Sequence, residues 1–163
     1  MEIVVATTAE HLRAVRALFR EYTRFLDVDL HFQGFEAELA GLPGKYAPPR
    51  GALLIAVDRA AACGCVALRP LEPGVCEMKR LFVRPSARRG GIGRALAEAI
   101  LREGARKGYA AMRLDTLPKL RDAIRLYERL GFRRIAAYYP NPLPGVSYWE
   151  IKLDDYRSRE ETP

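Results

Sequence analysis

The chain has 163 residues, about half of them apolar (49%), enough for one globular domain whose core needs no disulfide. Charged residues make up 29% and the longest unbroken apolar run is Ala52 to Val57, which excludes a membrane-spanning helix. The net charge of +7 is unevenly placed, with 16 Lys and Arg against 5 Asp and Glu between Lys79 and Arg134, so nucleic acid, an anionic membrane surface and a phosphorylated cofactor all suit the charge alone. The N-terminus carries no basic-then-apolar export signal, and a cytoplasmic location is expected. Three cysteines, Cys63, Cys65 and Cys76, are expected to be buried thiols. His11 and His31 lie too far from them to suggest zinc, so no metal is assigned.

In chain order, Glu2 to Ala6 is a first strand, and Thr8 caps a helix over Ala9 to Phe25 whose apolar residues recur at helical spacing (Leu12, Val15, Leu18, Phe19, Tyr22, Phe25, Leu26). A shorter helix covers Gly34 to Ala40. The period then shortens to that of strands: Ala52 to Asp58, Ala62 to Leu68 across a hairpin joint, and Val75 to Val83, closed by Arg84-Pro85. Gly91 to Lys107 is an amphipathic helix with Gly108 at its stop. Ala110 to Asp115 is a strand, Lys119 to Leu130 a helix stopped by Gly131, and Phe132 to Tyr138 and Val146 to Leu153 are the last strands. The division is a domain over 1–153 and a polar tail over 154–163 that is expected to fray. This order is α/β, a mixed and partly antiparallel sheet with a βαβ crossover in its second half.

The most informative stretch runs from Val83 to Arg94, where a strand end, a basic glycine-rich turn and a helix start follow one another. Amides at a helix start lack intrahelical partners and the helix dipole favours negative charge there, so this turn suits phosphate. It is not a Walker loop, because Gly93 is followed by Arg94-Ala95, nor a dinucleotide fingerprint, which requires glycine or alanine at Leu96. Arg88, Gly91 and Gly93 instead match the pattern Arg/Gln-x-x-Gly-x-Gly/Ala.

With Glu77-Met78-Lys79-Arg80-Leu81-Phe82-Val83 before it and Ala123 to Phe132 after it, this stretch resembles the acyl-CoA loop of the GNAT superfamily of N-acetyltransferases, and the run Tyr138-Tyr139-Pro140-Asn141-Pro142-Leu143-Pro144-Gly145, followed by Tyr148-Trp149-Glu150, resembles a bacterial branch of that family with no assigned substrate. The resemblance implies a single-domain fold with a mixed sheet of six to seven strands, about four helices and a splayed strand pair holding acyl-CoA. It also implies acetyl-CoA as acetyl donor, with the loop residues Arg88, Arg89, Gly90, Gly91, Ile92, Gly93 and Arg94 at its phosphates. Leu81, Phe82 and Val83 offer backbone groups to its pantetheine arm. The resemblance departs at Leu120, where relatives commonly carry an asparagine, leaving Thr116, Lys119 and Arg121 to replace it.

Making an alkylamine nucleophilic at neutral pH costs about 4 to 5 kcal/mol, so something must take its proton. Glu77 is the candidate base, directly or through water, sharing a strand face with Lys79, Leu81 and Val83 by alternation. The other reading of Glu77 is a salt-bridged strand residue. Tyr127 is the candidate acid for the departing thiolate, or else a core residue of the stripe Leu120, Ala123, Ile124 and Tyr127. The acceptor, expected to be a small amine, enters between the segments Tyr22–Tyr46 and Tyr138–Tyr148, where Asp27 and Asp29 beside Phe25, Phe32 and Phe35 offer a cation clamp. The alternatives are a non-catalytic acyl-CoA sensor and, less favoured, a basic nucleic-acid-binding module. No nucleic-acid or membrane partner is expected, and a homodimer is open.

Overall fold

The computed structural model describes residues 1–30, 34–154 and 156–157. Its elements follow the expected order: β1 (Glu2–Val5), α1 (Ala9–Leu26), α2 (Phe35–Ala40), β2 (Ala52–Asp58), β3 (Ala61–Glu72), β4 (Val75–Val83), α3 (Ile92–Arg106), β5 (Ala111–Thr116), α4 (Arg121–Leu130), β6 (Arg133–Ile135) and β7 (Ser147–Lys152). Short 3-10 turns at Gly44–Tyr46 and Pro85–Ala87 complete it. The seven strands form one sheet in the order β1-β2-β3-β4-β5-β7-β6, antiparallel except where β4 meets β5. That parallel pair is the expected crossover, with α3 as its connection.

Local chemistry explains the element ends. The Thr8 hydroxyl accepts the His11 amide at 3.0 Å and opens α1, while Gly131, at φ 103°, closes α4 in a conformation that side chains other than glycine rarely adopt. Arg59 and Ala60 both have positive φ, the turn that matches the twist of a two-residue hairpin between β2 and β3. The sheet then divides two cores. Val15, Leu18, Phe19 and Leu39 of α1 and α2 pack on one face with Leu53, Ile55 and Phe82. Leu96, Ile100 and Leu101 of α3, with Tyr127 of α4, pack on the other with Leu54, Val66 and Met112. All three cysteines are buried free thiols, and burial pushes the Cys76 thiol up to about 12.

Three differences from the sequence reading have identifiable causes. β6 covers only Arg133–Ile135 rather than Phe132 to Tyr138: Phe132 turns into the core, and Tyr138 and Tyr139 turn toward carboxylates on β4 and β5. Beyond them Pro140, Pro142 and Pro144 have no amide to give a ladder. β3 runs four residues past Leu68, to Glu72, with a register shift at Pro70 that accommodates its missing donor. The start of the tail docks: the Tyr156 hydroxyl donates to the Leu130 carbonyl at 3.4 Å and Arg157 Nε to the Ala105 carbonyl at 3.2 Å. Residues 158–163 of that tail lie outside the described residues.

Gly51, just before β2, is a point of close backbone approach. A Cβ there would stand 2.5 Å from the Tyr46 carbonyl carbon and 2.6 Å from the Lys45 oxygen, and backbone cannot step aside as a flexible side chain can. Gly51→Ala is expected to cost about 2 kcal/mol, read as a lower urea midpoint at unchanged slope.

Candidate active site

The β4–β5 ladder is short. Val75, Cys76 and Glu77 pair with Ala111, Met112 and Arg113, and no pairing follows. From Met78 onward the β5-facing edge of β4 therefore has backbone groups without a strand partner, next to Leu114, Asp115 and Thr116, which β7 pairs from the far side. On its other edge β4 stays bonded to β3, but with an irregularity: Cys65 faces Phe82 and Ala67 faces Lys79, three steps on β4 against two on β3. The extra residue is a bulge at Arg80, whose φ is +60°.

That bulge corrects the alternation expected from sequence. Before it, Glu77 and Lys79 lie on the α1–α2 side. After it, Phe82 joins that side while Leu81 and Val83 pack against the α3 core, so Glu77 does not share its face with Leu81 and Val83. The conformation is held from outside the strand. Arg80 makes two bonds to the Glu38 carboxylate, 3.0 and 3.1 Å, lies 5.5 Å from the Phe35 ring centre, and gives its own carbonyl to the Cys65 thiol at 3.3 Å. Buried ion pairs of this geometry fix a backbone that the local sequence disfavours.

Glu77 is fully buried. Arg69 Nε donates to its Oε1 at 2.8 Å and the Tyr138 hydroxyl to its Oε2 at 2.6 Å, with Lys79 Nζ 3.9 Å away. Lys79 also stands 4.0 Å from Asp115 on β5, and Asp115 accepts from the Tyr139 hydroxyl and, at 3.1 Å, from Asn141. Two carboxylates, one on each of the diverging strands, are thus tied by the segment that leaves β6. Burial, then the neighbouring carboxylates, raise the phenols of Tyr138 and Tyr139 well above 10, and burial lowers the Lys79 ammonium.

The Tyr127 ring is buried edge-on to Phe132, centroids 5.6 Å apart, and its hydroxyl takes no hydrogen bond among the described residues. Burial raises its pKa well above the usual 10. Thr116 Oγ1, at the end of β5, is a buried polar atom with no hydrogen-bond partner among the described residues. It lines a small cavity of about 50 Å³ between the diverging strands, with Tyr22, Met78, Asp115 and Leu120. Of the residues that sequence offered in place of an asparagine at Leu120, Thr116 is the one on this cavity; the Lys119 ammonium is bonded to the Leu26 carbonyl and Arg121 is exposed. A second cavity of about 510 Å³ lies against α2, the Gly44–Tyr46 turn and Tyr139, and Lys79 and Arg80 line both.

At the end of β4 the glycine-rich turn leads into α3. Gly91 is its N-cap with φ +76° and no side chain caps the helix, so the first amides, from Ile92 on, lack intrahelical partners. Arg89 is also at positive φ and Gly90 is exposed. Arg88 donates Nε to the Val83 carbonyl at 3.0 Å and stacks on Phe25 at 4.3 Å, while Arg94 pairs with Glu98 at 2.9 Å on the surface. Of the clamp suggested around Asp27 and Asp29, Asp29 and Phe35 line one cavity of about 340 Å³, while Phe25 faces Arg88 and Asp27 ends α1. Phe32 lies outside the described residues.

A family model described as the Acetyltransferase (GNAT) family matches residues 12–132. The chain belongs to the GNAT family. An uncharacterized N-acetyltransferase of Schizosaccharomyces pombe is 43% identical over 140 residues, 85% of this chain and 86% of that one. The structure of an acetyltransferase from Streptococcus agalactiae superposes with a TM-score of 0.77 at 21% identity, over 93% of this chain and 97% of the other. A GNAT acetyltransferase of Elizabethkingia anophelis with acetyl-CoA bound shares the fold at a TM-score of 0.55 and 22% identity, over 63% of this chain and 76% of the other.

The protein is an N-acetyltransferase, and its family takes the acetyl group from acetyl-CoA. Seen as a GNAT domain, the chain keeps the glycine-rich turn that sequence singled out. Arg69 and Asp115 carry no local signal in the sequence, and Tyr138, Tyr139 and Asn141 enter it only as part of the acceptor segment Tyr138–Tyr148. Only the unusual run Tyr138-Tyr139-Pro140-Asn141-Pro142 gave a local hint, and it names no partner. Among the described residues no helix is long and apolar enough to cross a membrane.

Proposed function

We propose that the protein transfers an acetyl group from acetyl-CoA to the primary amine of a small molecule by direct attack. The observation that carries this reading is the freed edge of β4, which runs from Met78 toward the uncapped start of α3 and meets a cavity of small-molecule size at Lys79 and Arg80. The donor fits the residues present. The amides of Ile92, Gly93 and Arg94 receive its diphosphate, with Arg88, Arg89 and Gly90 around it. The backbone of Leu81, Phe82 and Val83 receives its pantetheine arm, and the orphaned Thr116 hydroxyl supplies a polar contact at the other wall. Bound there, acetyl-CoA presents a thioester carbonyl to the amine.

The chain's own groups then manage protons and charge. Because Glu77 is buried with both oxygens bonded, it takes the proton of the acceptor ammonium through the Tyr138 hydroxyl: Tyr138 passes its proton to Oε2 as it receives the one leaving nitrogen. An amide of the freed β4 edge polarises the thioester oxygen while the N–C bond forms and the C–S bond breaks. Tyr127 gives its proton to the departing sulfur, and the second proton, shed by the nitrogen as the amide forms, restores the Tyr127 hydroxyl.

Incubation with acetyl-CoA and an amine panel, following free thiol, tests this reading; turnover with at least one amine is expected, and cofactor binding without turnover on any amine or peptide overturns it. Tyr127→Phe keeps the ring contact with Phe132 and is expected to lower kcat roughly tenfold at unchanged stability. Since burial holds the phenol protonated far above its usual range, the wild-type rate should show no alkaline fall from Tyr127 ionisation up to about pH 9.

A further inference from the structure

The larger cavity carries more positive charge than an amine acceptor calls for. Its wall contains Lys45, Arg69, Lys79 and Arg80 against one lining carboxylate, Glu38, with Glu77 buried behind Arg69 and Lys79. Glu38 is already engaged by both bonds from Arg80 and by the Tyr46 hydroxyl at 2.9 Å. A simple alkylammonium entering this space meets like charge where water screens poorly. Arg69 is the decisive group. Its Nε is spent on Glu77, the side chain is 27% exposed, and its two terminal nitrogens have no partner among the described residues. A guanidinium held by one edge and open at the other offers the planar, paired donors that match a carboxylate. Lys45, exposed on the Gly44–Tyr46 turn at the rim of the same cavity, has no ion pair among the described residues either. Toward the β4–β5 gap carboxylates join these cations: Asp115 lines the small cavity beside Lys79 and Arg80, and Glu77 lies behind Tyr138.

We propose that the acceptor is a zwitterion, an amine bearing a carboxylate as in an amino acid, whose carboxylate is taken by the terminal nitrogens of Arg69 with Lys45 beside it while its amine points into the gap between β4 and β5. This rests on the acetyl-transfer reading above and narrows it to a substrate class.

The test compares glycine, β-alanine, 4-aminobutyrate and L-aspartate, each with its carboxamide and with an aminoalkylphosphonate of similar length, by calorimetric binding and thermal shift and by acetyl transfer. At least one acid is expected to bind, and to react, at least tenfold better than its amide, and Lys45→Glu and Arg69→Met should each bring that ratio toward one. Arg69→Met also strips a partner from buried Glu77, so Lys45→Glu, at an exposed site, decides the matter if the former does not fold. Amides that match their acids, a preference that survives Lys45→Glu, a phosphonate bound tenfold tighter than every carboxylate, or no binding of any acid overturns the proposal. Selective acid binding with no turnover of any amine or peptide would uphold the carboxylate site and overturn acetyl transfer, which keeps the two failures apart.

Discussion

Glu77→Gln is expected to slow acetyl transfer by roughly 10²- to 10⁴-fold while affinity for acetyl-CoA is largely kept. The amide has the shape of the carboxylate and its carbonyl can still accept from Arg69, so the local packing survives. It cannot hold the proton that Tyr138 passes on. The substitution also removes a negative charge from beside Arg69 and Lys79, and taking one member from a buried ion-pair cluster costs about 3 kcal/mol of stability. The rate must therefore be measured on protein shown to be folded at the assay temperature by circular dichroism and a denaturation midpoint. Tyr138→Phe separates charge from relay, because it leaves the ion pairs and deletes the hydroxyl; a loss of about tenfold is expected there. Folded Glu77→Gln protein that turns over within about threefold of wild type would end the base assignment.

The second large effect is expected at the turn before α3. Gly91 holds φ +76°, a conformation that valine cannot adopt without strain, so Gly91→Val should rotate the first amides of α3 away from their common focus. Each charge-assisted bond to a phosphate is worth about 1.5 to 3 kcal/mol, and losing the equivalent of one or two should weaken acetyl-CoA binding about 100-fold. Gly93→Ala is the matching control. A Cβ at Gly93 would meet Val83 at 3.7 Å, an ordinary contact, and near wild-type affinity is expected. Calorimetric titration with acetyl-CoA reads both. Equal weakening in the two variants would mean that space around Gly93, rather than the left-handed turn, governs the site; no weakening in either would separate the turn from the cofactor altogether.

How far these features could be read from residues alone follows their range along the chain. The elements up to α4 depend on short-range signals: Thr8 before an apolar stripe, Arg84-Pro85 after a strand, glycine at 108 and 131 after helices. The structure places element ends close to them. The glycine-rich turn is likewise local, since strand end, turn and helix start occupy consecutive residues. β6 misled because Phe132 to Tyr138 has strand-forming composition, while the hydroxyls of Tyr138 and Tyr139 find better partners in Glu77 and Asp115 than a longer ladder offers.

Sequence by itself thus determined the mixed α/β order, the family resemblance and the residues of the anion turn, because each is written in neighbouring positions through backbone preference and apolar period. Only the tertiary structure decided the bulge at Arg80, the burial of Glu77 between Arg69 and Tyr138, and the basic wall of the larger cavity. Those depend on contacts such as Glu38 with Arg80, 42 residues apart, and Tyr138 with Glu77, 61 apart. Charge pairing across such distances obeys no spacing rule, since it is fixed by which strands lie side by side and which side chains lose their water there.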